Sequence, residues 1–336
     1  MNPNVILPLG SSVLSLAFAV LLLDQWRDRR RPYQLIWAIG MLWYALSAGT
    51  EFLGGAFGWN ETLYRLWYLI GAIWVAGWLG LGTAALLART KFGYAFGVIL
   101  FLAGLVAVAG RSRYPDSGAA PIAYFAVATG LAVVIVVLTR RGDERWATVA
   151  AGGLIAGSLA SAVLVATTPL AAPGWVLNPE TSIPVGDLFP GAIRLLTPVF
   201  NIVGAGSLVI GAIFSAYVFM PKNRVVRYDR AGAAWPVRAA VAIPVNFVAS
   251  LPGAVRAARR GGLNSRVPAT ILIAIGGIIP AITSGANRFG ATSAFFLGEF
   301  LGVLFLFLGF LVSIEVFREF RVPFTHIVLH HRQIEA

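Results

Sequence analysis

Cysteine is absent from the 336 residues, and with it go disulfides, thiolate catalysis and Cys-ligated metals. Lysine is almost absent. Only Lys91 and Lys222 stand among the 26 basic residues, and neither lies inside a long apolar stretch, which excludes a Schiff-base lysine within a helical bundle. The three histidines, His326, His330 and His331, all fall near the C-terminus, so no haem or metal is held by histidine within an apolar segment. His326 and His330 stand four residues apart, one face of a helix, but with no carboxylate constellation beside them they read as a solvated tail. No glycine-rich phosphate loop follows a strand pattern. The sequence therefore carries no catalytic or cofactor signature, and no cofactor is expected. Charge is scarce as well: charged residues make up 12% and hydrophobic ones 58%, where a soluble domain carries about 25% charged residues. Such a chain cannot cover a water-facing surface, and most of its surface must face lipid.

What is present is a ladder of nine apolar segments, each near the roughly 20 residues that a bilayer span needs: 5–24, 34–57, 62–88, 92–110, 121–139, 147–167, 191–219, 267–287 and 293–317. The first is followed at once by Arg27, Arg29, Arg30 and Arg31 and lacks a basic leader, so it reads as a span rather than a cleaved signal. The loops alternate between arginine-rich and arginine-poor. All but five of the 26 lysines and arginines (Arg65, Arg111, Arg113, Arg194 and Arg288) fall on one side. Basic loops stay in the cytoplasm, which puts the N-terminus outside and the C-terminus inside an inner (plasma) membrane. The arginine, alanine and glycine bias points to a GC-rich prokaryote. The net charge of +12 is thus topogenic and does not mark a nucleic-acid surface.

The fold class expected is an all-α integral membrane protein in four parts: a seven-helix unit (1–220), a basic cytoplasmic segment (221–266), a two-helix unit (267–317) and a tail (318–336). Within the basic segment, Val237 to Leu251 is apolar, yet Pro236, Pro244 and Pro252 interrupt it and Arg238, Arg256, Arg259 and Arg260 flank it. That pattern predicts an interfacial stretch over 236–263, lying on anionic inner-leaflet lipids rather than crossing. Gly93/Gly97, Gly153/Gly157 and Gly298/Gly302 stand at four-residue spacing, which lets helices approach closely in lipid.

Polar residues gather at one depth. The second span carries Tyr44, Ser47 and Glu51 along one stripe, and the seventh carries Arg194, Thr197 and Asn201 at the same spacing. The eighth ends in Ser284, Asn287 and Arg288, and the ninth brings Glu299. All belong to the outer half, while the inner halves are nearly pure Ala, Val, Leu, Ile and Gly. An ionisable group there is costly unless paired or wetted, and the expected partners are Glu51 with Arg194 and Glu299 with Arg288. Pro198 and Pro280 sit inside two of these spans, where a freed carbonyl and neighbouring glycines favour an interrupted helix of the kind that lines transporter sites. Trp43, Trp74 and Trp78 lie too deep for an interfacial belt and read as dense packing.

Three functions fit these residues. One is binding or transport of a small amphipathic or anionic ligand through the ten polar residues just named. Another is a non-catalytic membrane subunit or seven-helix sensory module acting through a separate protein partner at the basic segment. The last is a lipid-modifying enzyme with Glu51 or Glu299 as general base. Orientation is directly testable because the chain has no native cysteine. Single cysteines at Ser112 and Ser182 should react with a membrane-impermeant maleimide on intact cells, and one at Ser265 should not. Strong labelling at 265 would overturn the orientation.

Overall fold

The computed structural model describes residues 3–172, 174–178, 182–185, 188–227, 235–287, 294–313, 319–321, 323–324 and 328–331. Ten of the helices among them are long and apolar enough to span a membrane: α1 (Pro3–Arg29), α2 (Pro32–Phe57), α3 (Glu61–Leu86), α4 (Gly93–Ser112), α5 (Ala120–Arg141), α6 (Arg145–Thr167), α7 (Gly191–Phe219), α8 (Trp235–Arg259), α9 (Arg266–Asn287) and α10 (Phe295–Val312). Among the described residues there are also a 3-10 turn at Pro115–Ser117 and two short antiparallel pairings, Val176–Leu177 with Pro184–Val185 and Glu319–Arg321 with Val328–His331. Seven of the nine apolar segments follow single helices closely, and the seventh divides at Leu195 into Gly191–Arg194 and Leu196–Phe219. The third is a composite, α-helical over Glu61–Trp67 and Val75–Leu86 with a π-helical stretch, Tyr68–Trp74, between them.

Six helices close a ring: α1 packs on α2, α2 on α3, α3 on α7, α7 on α9, α9 on α10, and α10 on α1. Phe18 and Leu22 of α1, Trp37 and Met41 of α2, Leu79 of α3, Leu208 of α7, and Val303, Leu306 and Phe310 of α10 meet at its centre. Helices α4, α5 and α6 flank this ring. A second apolar cluster joins them to α3 through Leu81, Phe96, Ile135 and Trp146. The turn from α1 to α2 is only two residues long, with Arg30 in a left-handed conformation (φ 51°) and Pro32 opening α2, where its fixed φ suits a first helical turn.

Lipid supplies no hydrophobic drive between helices, so close approach has to supply dispersion and weak polar contact instead. The tightest crossing is α3 on α7. A Cβ added at Gly80 would stand 2.3 Å from the Gly204 carbonyl oxygen, and one at Gly204 would stand 2.1 Å from the Ala76 carbonyl carbon. Only glycine fits there. The glycine pairs noted in the sequence also lie at helix contacts. Gly93 and Gly97 face Thr139 and Val136 of α5, Gly153 faces Leu131 of α5, and Gly157 faces Phe200 of α7. Gly298 and Gly302 face Thr283 and Pro280 of α9.

Neither Pro198 nor Pro280 breaks its helix, contrary to the sequence reading. Pro198 sits in the first turn of the α-helical run Leu196–Phe219, where no intrahelical N–H bond is lost. Pro280 lies inside α9. Its ring fills the notch at Gly302, and the Gly276 carbonyl one turn earlier, which Pro280 cannot bond, rests against Gly302 as well.

The chief departure is α8. A single helix runs through Pro244 and Pro252, with Pro236 harmless in its first turn. Its inward stripe is small and polar: Ala242, Asn246, Ser250 and Ala254 are buried. Asn246 and Ser250 bond the backbone of Val226 and Asn223 (2.8–2.9 Å and 2.8 Å). Its outward stripe is apolar, with Val237, Val241, Val248 and Val255 all exposed. The chain leaves α7 and re-enters at α9 on the same end of the ring, where the Arg266 guanidinium stacks over the Phe219 ring at 4.3 Å.

The α3–α7 crossing yields a stability prediction. Gly204→Leu forces backbone apart and should cost at the upper end of the roughly 1–3 kcal/mol typical of overpacking. Gly152→Leu, where an added Cβ meets nothing within 4 Å, should cost almost nothing. Thermal unfolding in detergent measures both, and equal losses would mean that the crossing is not close.

Candidate functional site

Near one end of the ring, α2 carries Glu51 inward, and only 2% of the residue is exposed. One carboxyl oxygen, Oε1, accepts a hydrogen bond from the Trp67 indole N–H at 2.8 Å. The carboxyl group lies beside that of Glu299, which arrives from the first turns of α10, and its second oxygen, Oε2, is buried without a hydrogen-bond partner. Tyr44, two turns below Glu51 on α2, donates its hydroxyl to the Glu299 backbone carbonyl at 2.8 Å. Like charges therefore meet where the sequence suggested opposite ones.

Arg194 is elsewhere. The stripe Arg194, Thr197, Asn201 is broken because Gly191–Arg194 forms its own short helical turn, separated by Leu195 from the helix Leu196–Phe219. Arg194 turns outward and lays its guanidinium 4.5 Å from the centre of the Tyr114 ring. Among the described residues no ion pair joins it to Glu51. Arg288 lies outside the described residues, as does His326, so the expected Glu299–Arg288 pair does too. For Asn287 only the backbone, at the last residue of α9, is described.

Thr197 and Asn201 do face inward, toward the π-helical stretch of α3. There Val75 N–H reaches back five residues to the Ile70 carbonyl. Such wide turns are rare and cluster at functional sites. Asn201 Nδ2 donates to the Ala72 carbonyl (3.2 Å) and Thr197 Oγ1 lies 3.4 Å from the Tyr68 hydroxyl. Ser47 presses its hydroxyl against Gly71, where a Cβ would stand 2.2 Å from it. Ser47, Thr197 and Asn201 thus cradle one distorted segment, and its leading residue Trp67 holds Glu51. Ser284 is half-buried on α9 and makes no hydrogen bond among the described residues. Its neighbour Thr283 packs on Gly298, one residue from Glu299.

The carboxyl pair is closed from both sides. Beyond it, Phe295, Phe296 and Ile183 cluster with Trp59, Trp67 and Leu7, and the Trp59 indole is pinned by a 2.8 Å bond to the Ser182 carbonyl. Below it the apolar ring core, with Met41, Leu79 and Val303, fills the axis. No group of three or more metal-ligating side chains occurs among the described residues.

A separate cleft of about 490 Å³ opens at the same end, between the loops following α4 and α6 and the start of α7. Arg194 and Tyr114 line it. Its floor includes Phe189, whose ring centre lies 4.8 Å from that of Tyr68 and 5.8 Å from that of Tyr64. Trp67, Tyr68, Arg113 and Tyr114 had no place in the polar layer inferred from sequence. Trp67 stands four residues short of the Ser47-facing Gly71, and spacing alone gives no signal for it. Trp43 and Trp74 pack together at 4.9 Å.

The geometry predicts which residues are energetically coupled. Glu51→Leu strands the Trp67 N–H and the Glu299 carboxyl, at a cost of about 1–3 kcal/mol. Glu299→Leu should cost a similar amount, and the double variant should lose less than the sum by about 1 kcal/mol. Glu51→Leu with Arg194→Gln should simply add. Unfolding in detergent reads both cycles. Additivity of the first, or coupling in the second, contradicts this arrangement.

The chain matches no family model, no curated protein and no solved structure.

Proposed function

We propose that this protein binds or transports a small amphipathic or anionic ligand across or within a prokaryotic inner membrane, with the Glu51–Glu299 carboxyl pair as its polar centre. The observation that carries this reading is the contact itself: two carboxyl groups meet inside a ring of apolar helices, with no cation facing them among the described residues. Burying such a pair costs free energy that packing alone would avoid by using leucine. Ionisable groups at membrane depth are retained mainly for function. Proton release from one carboxyl on ligand arrival, and uptake on departure, is the simplest use of two neighbouring carboxyls. Tyr44, Ser47, Thr197, Asn201 and Ser284 supply neutral hydrogen-bonding groups around it. Asn287 and Arg288 extend the same layer by their place in the sequence. The wide turns of α3 let the wall beside the pair change shape without breaking the span.

The same contact favours one second reading, acid–base chemistry on a lipid, in which one carboxyl donates a proton while the other accepts. The two readings differ in outcome: a transporter returns its ligand unchanged.

Protein purified from its own membranes should retain an amphipathic small molecule detectable by mass spectrometry, and the Glu51→Gln/Glu299→Gln variant should lose most of it. Adding that molecule to proteoliposomes with a trapped pH dye should move protons for the native chain only. If the variant retains as much ligand as the native chain, the pair is not the site.

The orientation proposed has nine crossing helices, the N-terminus outside and the C-terminus in the cytoplasm, with α8 on the inner leaflet. A crossing by α8 would oblige 221–234, with Lys222, Arg224, Arg227, Asp229 and Arg230, to cross as well, since both α7 and α9 meet it at one end. Extended charged backbone is not tolerated in lipid. The outward valines then dip into the leaflet while Arg238, Arg256, Arg259 and Arg260 reach anionic headgroups, each contributing about 1 kcal/mol. A fluorophore on Val241→Cys should be quenched by a quencher held at headgroup depth and spared by one at the bilayer centre. Quenching at the centre would make α8 a tenth span.

A further inference from the structure

The interior of the helix ring carries oxygens that no group of the chain satisfies. Ser11, Ser15, Phe18 and Leu22 recur every three or four residues and form one stripe of α1. Phe18 and Leu22 meet the centre of the ring, so the same stripe brings Ser11 and Ser15 toward its axis. Both serines are buried, at 1% and 0% exposure. Neither Oγ has a hydrogen-bond partner among the described residues, and Glu51 Oε2 is a third such oxygen.

These groups share one end of the ring. α1 runs antiparallel to α2: an added Cβ at Gly55 would meet the Asn4 carbonyl oxygen at 3.6 Å, and Ser12 Oγ donates to the Ala45 carbonyl at 2.8 Å. Glu51 therefore stands between Asn4 and Ser12 in height. α1 runs alongside α10 in the same sense, with Gly10 against the Phe300 ring and Phe18 against Phe307, 5.3 Å between ring centres. Ser11 is thus within about one helical turn of both Glu51 and Glu299, and Ser15 lies a turn deeper. The bond from the Tyr44 hydroxyl to the Glu299 carbonyl, at 2.8 Å, ties α2 to α10 at this height.

A buried oxygen without a partner is costly, and in native proteins it marks a place for water or an ion. Water would satisfy the hydroxyls but leave two neighbouring carboxyls without a counter-charge. A cation does both. Carboxylate and hydroxyl oxygens are hard ligands and suit a hard cation. Calcium takes roughly six to eight oxygens, more than two carboxyls and two hydroxyls supply. Magnesium keeps several of its waters, and the apolar closure above and below the pair offers them no partners.

We propose that the Glu51 and Glu299 carboxyls and the Ser11 and Ser15 hydroxyls form a binding site for a sodium ion. One sodium and one proton together cancel both carboxylates, so the proton exchange assigned to the pair is retained. The inference rests on the reading of the pair as a polar centre and names the ion that fills it; it does not need the amphipathic ligand.

The full chain, purified in a neutral detergent with choline chloride, should be titrated with sodium chloride at constant ionic strength, following the unfolding temperature and the uptake of radioactive sodium. Sodium should bind saturably and raise the unfolding temperature by several degrees, and potassium should do neither. Ser11→Ala should weaken sodium affinity several-fold and Glu51→Gln at least tenfold. In choline chloride Ser11→Ala should unfold with the native chain, since its hydroxyl bonds nothing there. Ser158→Ala removes an equally unpartnered hydroxyl from α6, outside the ring, and should bind sodium as the native chain does. Identical unfolding in sodium, potassium and choline would leave only water at these oxygens and overturn the ion. Sodium binding indifferent to Ser11→Ala and Glu51→Gln would overturn the site, and tighter binding of calcium would overturn the assignment to sodium. Retention of an amphipathic molecule that depends on the pair, without any response to sodium, would sink the ion and leave the ligand reading standing. Saturable sodium binding by a chain that retains no such molecule would do the opposite.

Discussion

The fold depends on two backbones being allowed to touch. Where α3 crosses α7, Gly80 and Gly204 leave no room for a single added carbon. In lipid that proximity replaces the hydrophobic effect as the source of cohesion. The same crossing fixes how deep each helix sits relative to the other. Thr197 and Asn201, nearer the start of α7, are thereby brought level with the π-helical part of α3. Gly276, Gly302 and Pro280 do equivalent work where α9 meets α10, and so set the height at which Glu299 meets Glu51. The polar centre is a product of these heights.

Which residues stand near one end of the helices was legible in the sequence, and azimuth was not. Hydropathy marks each span, and arginine counts order the loops, so the residues that share a level could be named. Which way a helix is turned about its axis depends on which neighbour it touches, and one sequence holds no record of that. Opposite charges at one depth suggested Glu51 with Arg194. The break at Leu195 instead turns Arg194 to the outside, and Glu51 finds Glu299. Glu51, Glu299, Thr197 and Asn201 stood out in the sequence because a polar side chain inside an apolar run needs a reason to be there. Trp67 and Tyr68 were missed because aromatic residues need none. The close crossing escaped notice too, since Gly80 and Gly204 belong to different helices and obey no spacing rule.

Proline was over-read at Pro198 and Pro280, where an interrupted helix was expected. Pro198, Pro244, Pro252 and Pro280 all lie within continuous helices. A helix flanked by others, or by an irregular stretch of its own chain as α8 is by 221–227, can forgo single hydrogen bonds at a few positions. The inverted character of α8, apolar outside and polar within, was hidden by those prolines, although Val237, Val241, Val248 and Val255 already stood at four- and seven-residue spacing.

The wide turns of α3 act as a vernier. An α-helix advances about 100° per residue, so the α-helical halves of α3 cannot be set independently if the span is regular. Here Trp67 must meet Glu51 on one side while Gly80 must meet Gly204 on another, thirteen positions further on. Spreading the slack over Tyr68–Trp74 satisfies both. A lineage that lost one residue from this stretch would keep a hydrophobic span of nearly the same length, and by hydropathy it would look unchanged. It would nonetheless have to give up either the indole on the carboxyl or the glycine crossing, so the length of this segment, rather than the identity of any residue in it, is what selection has to guard.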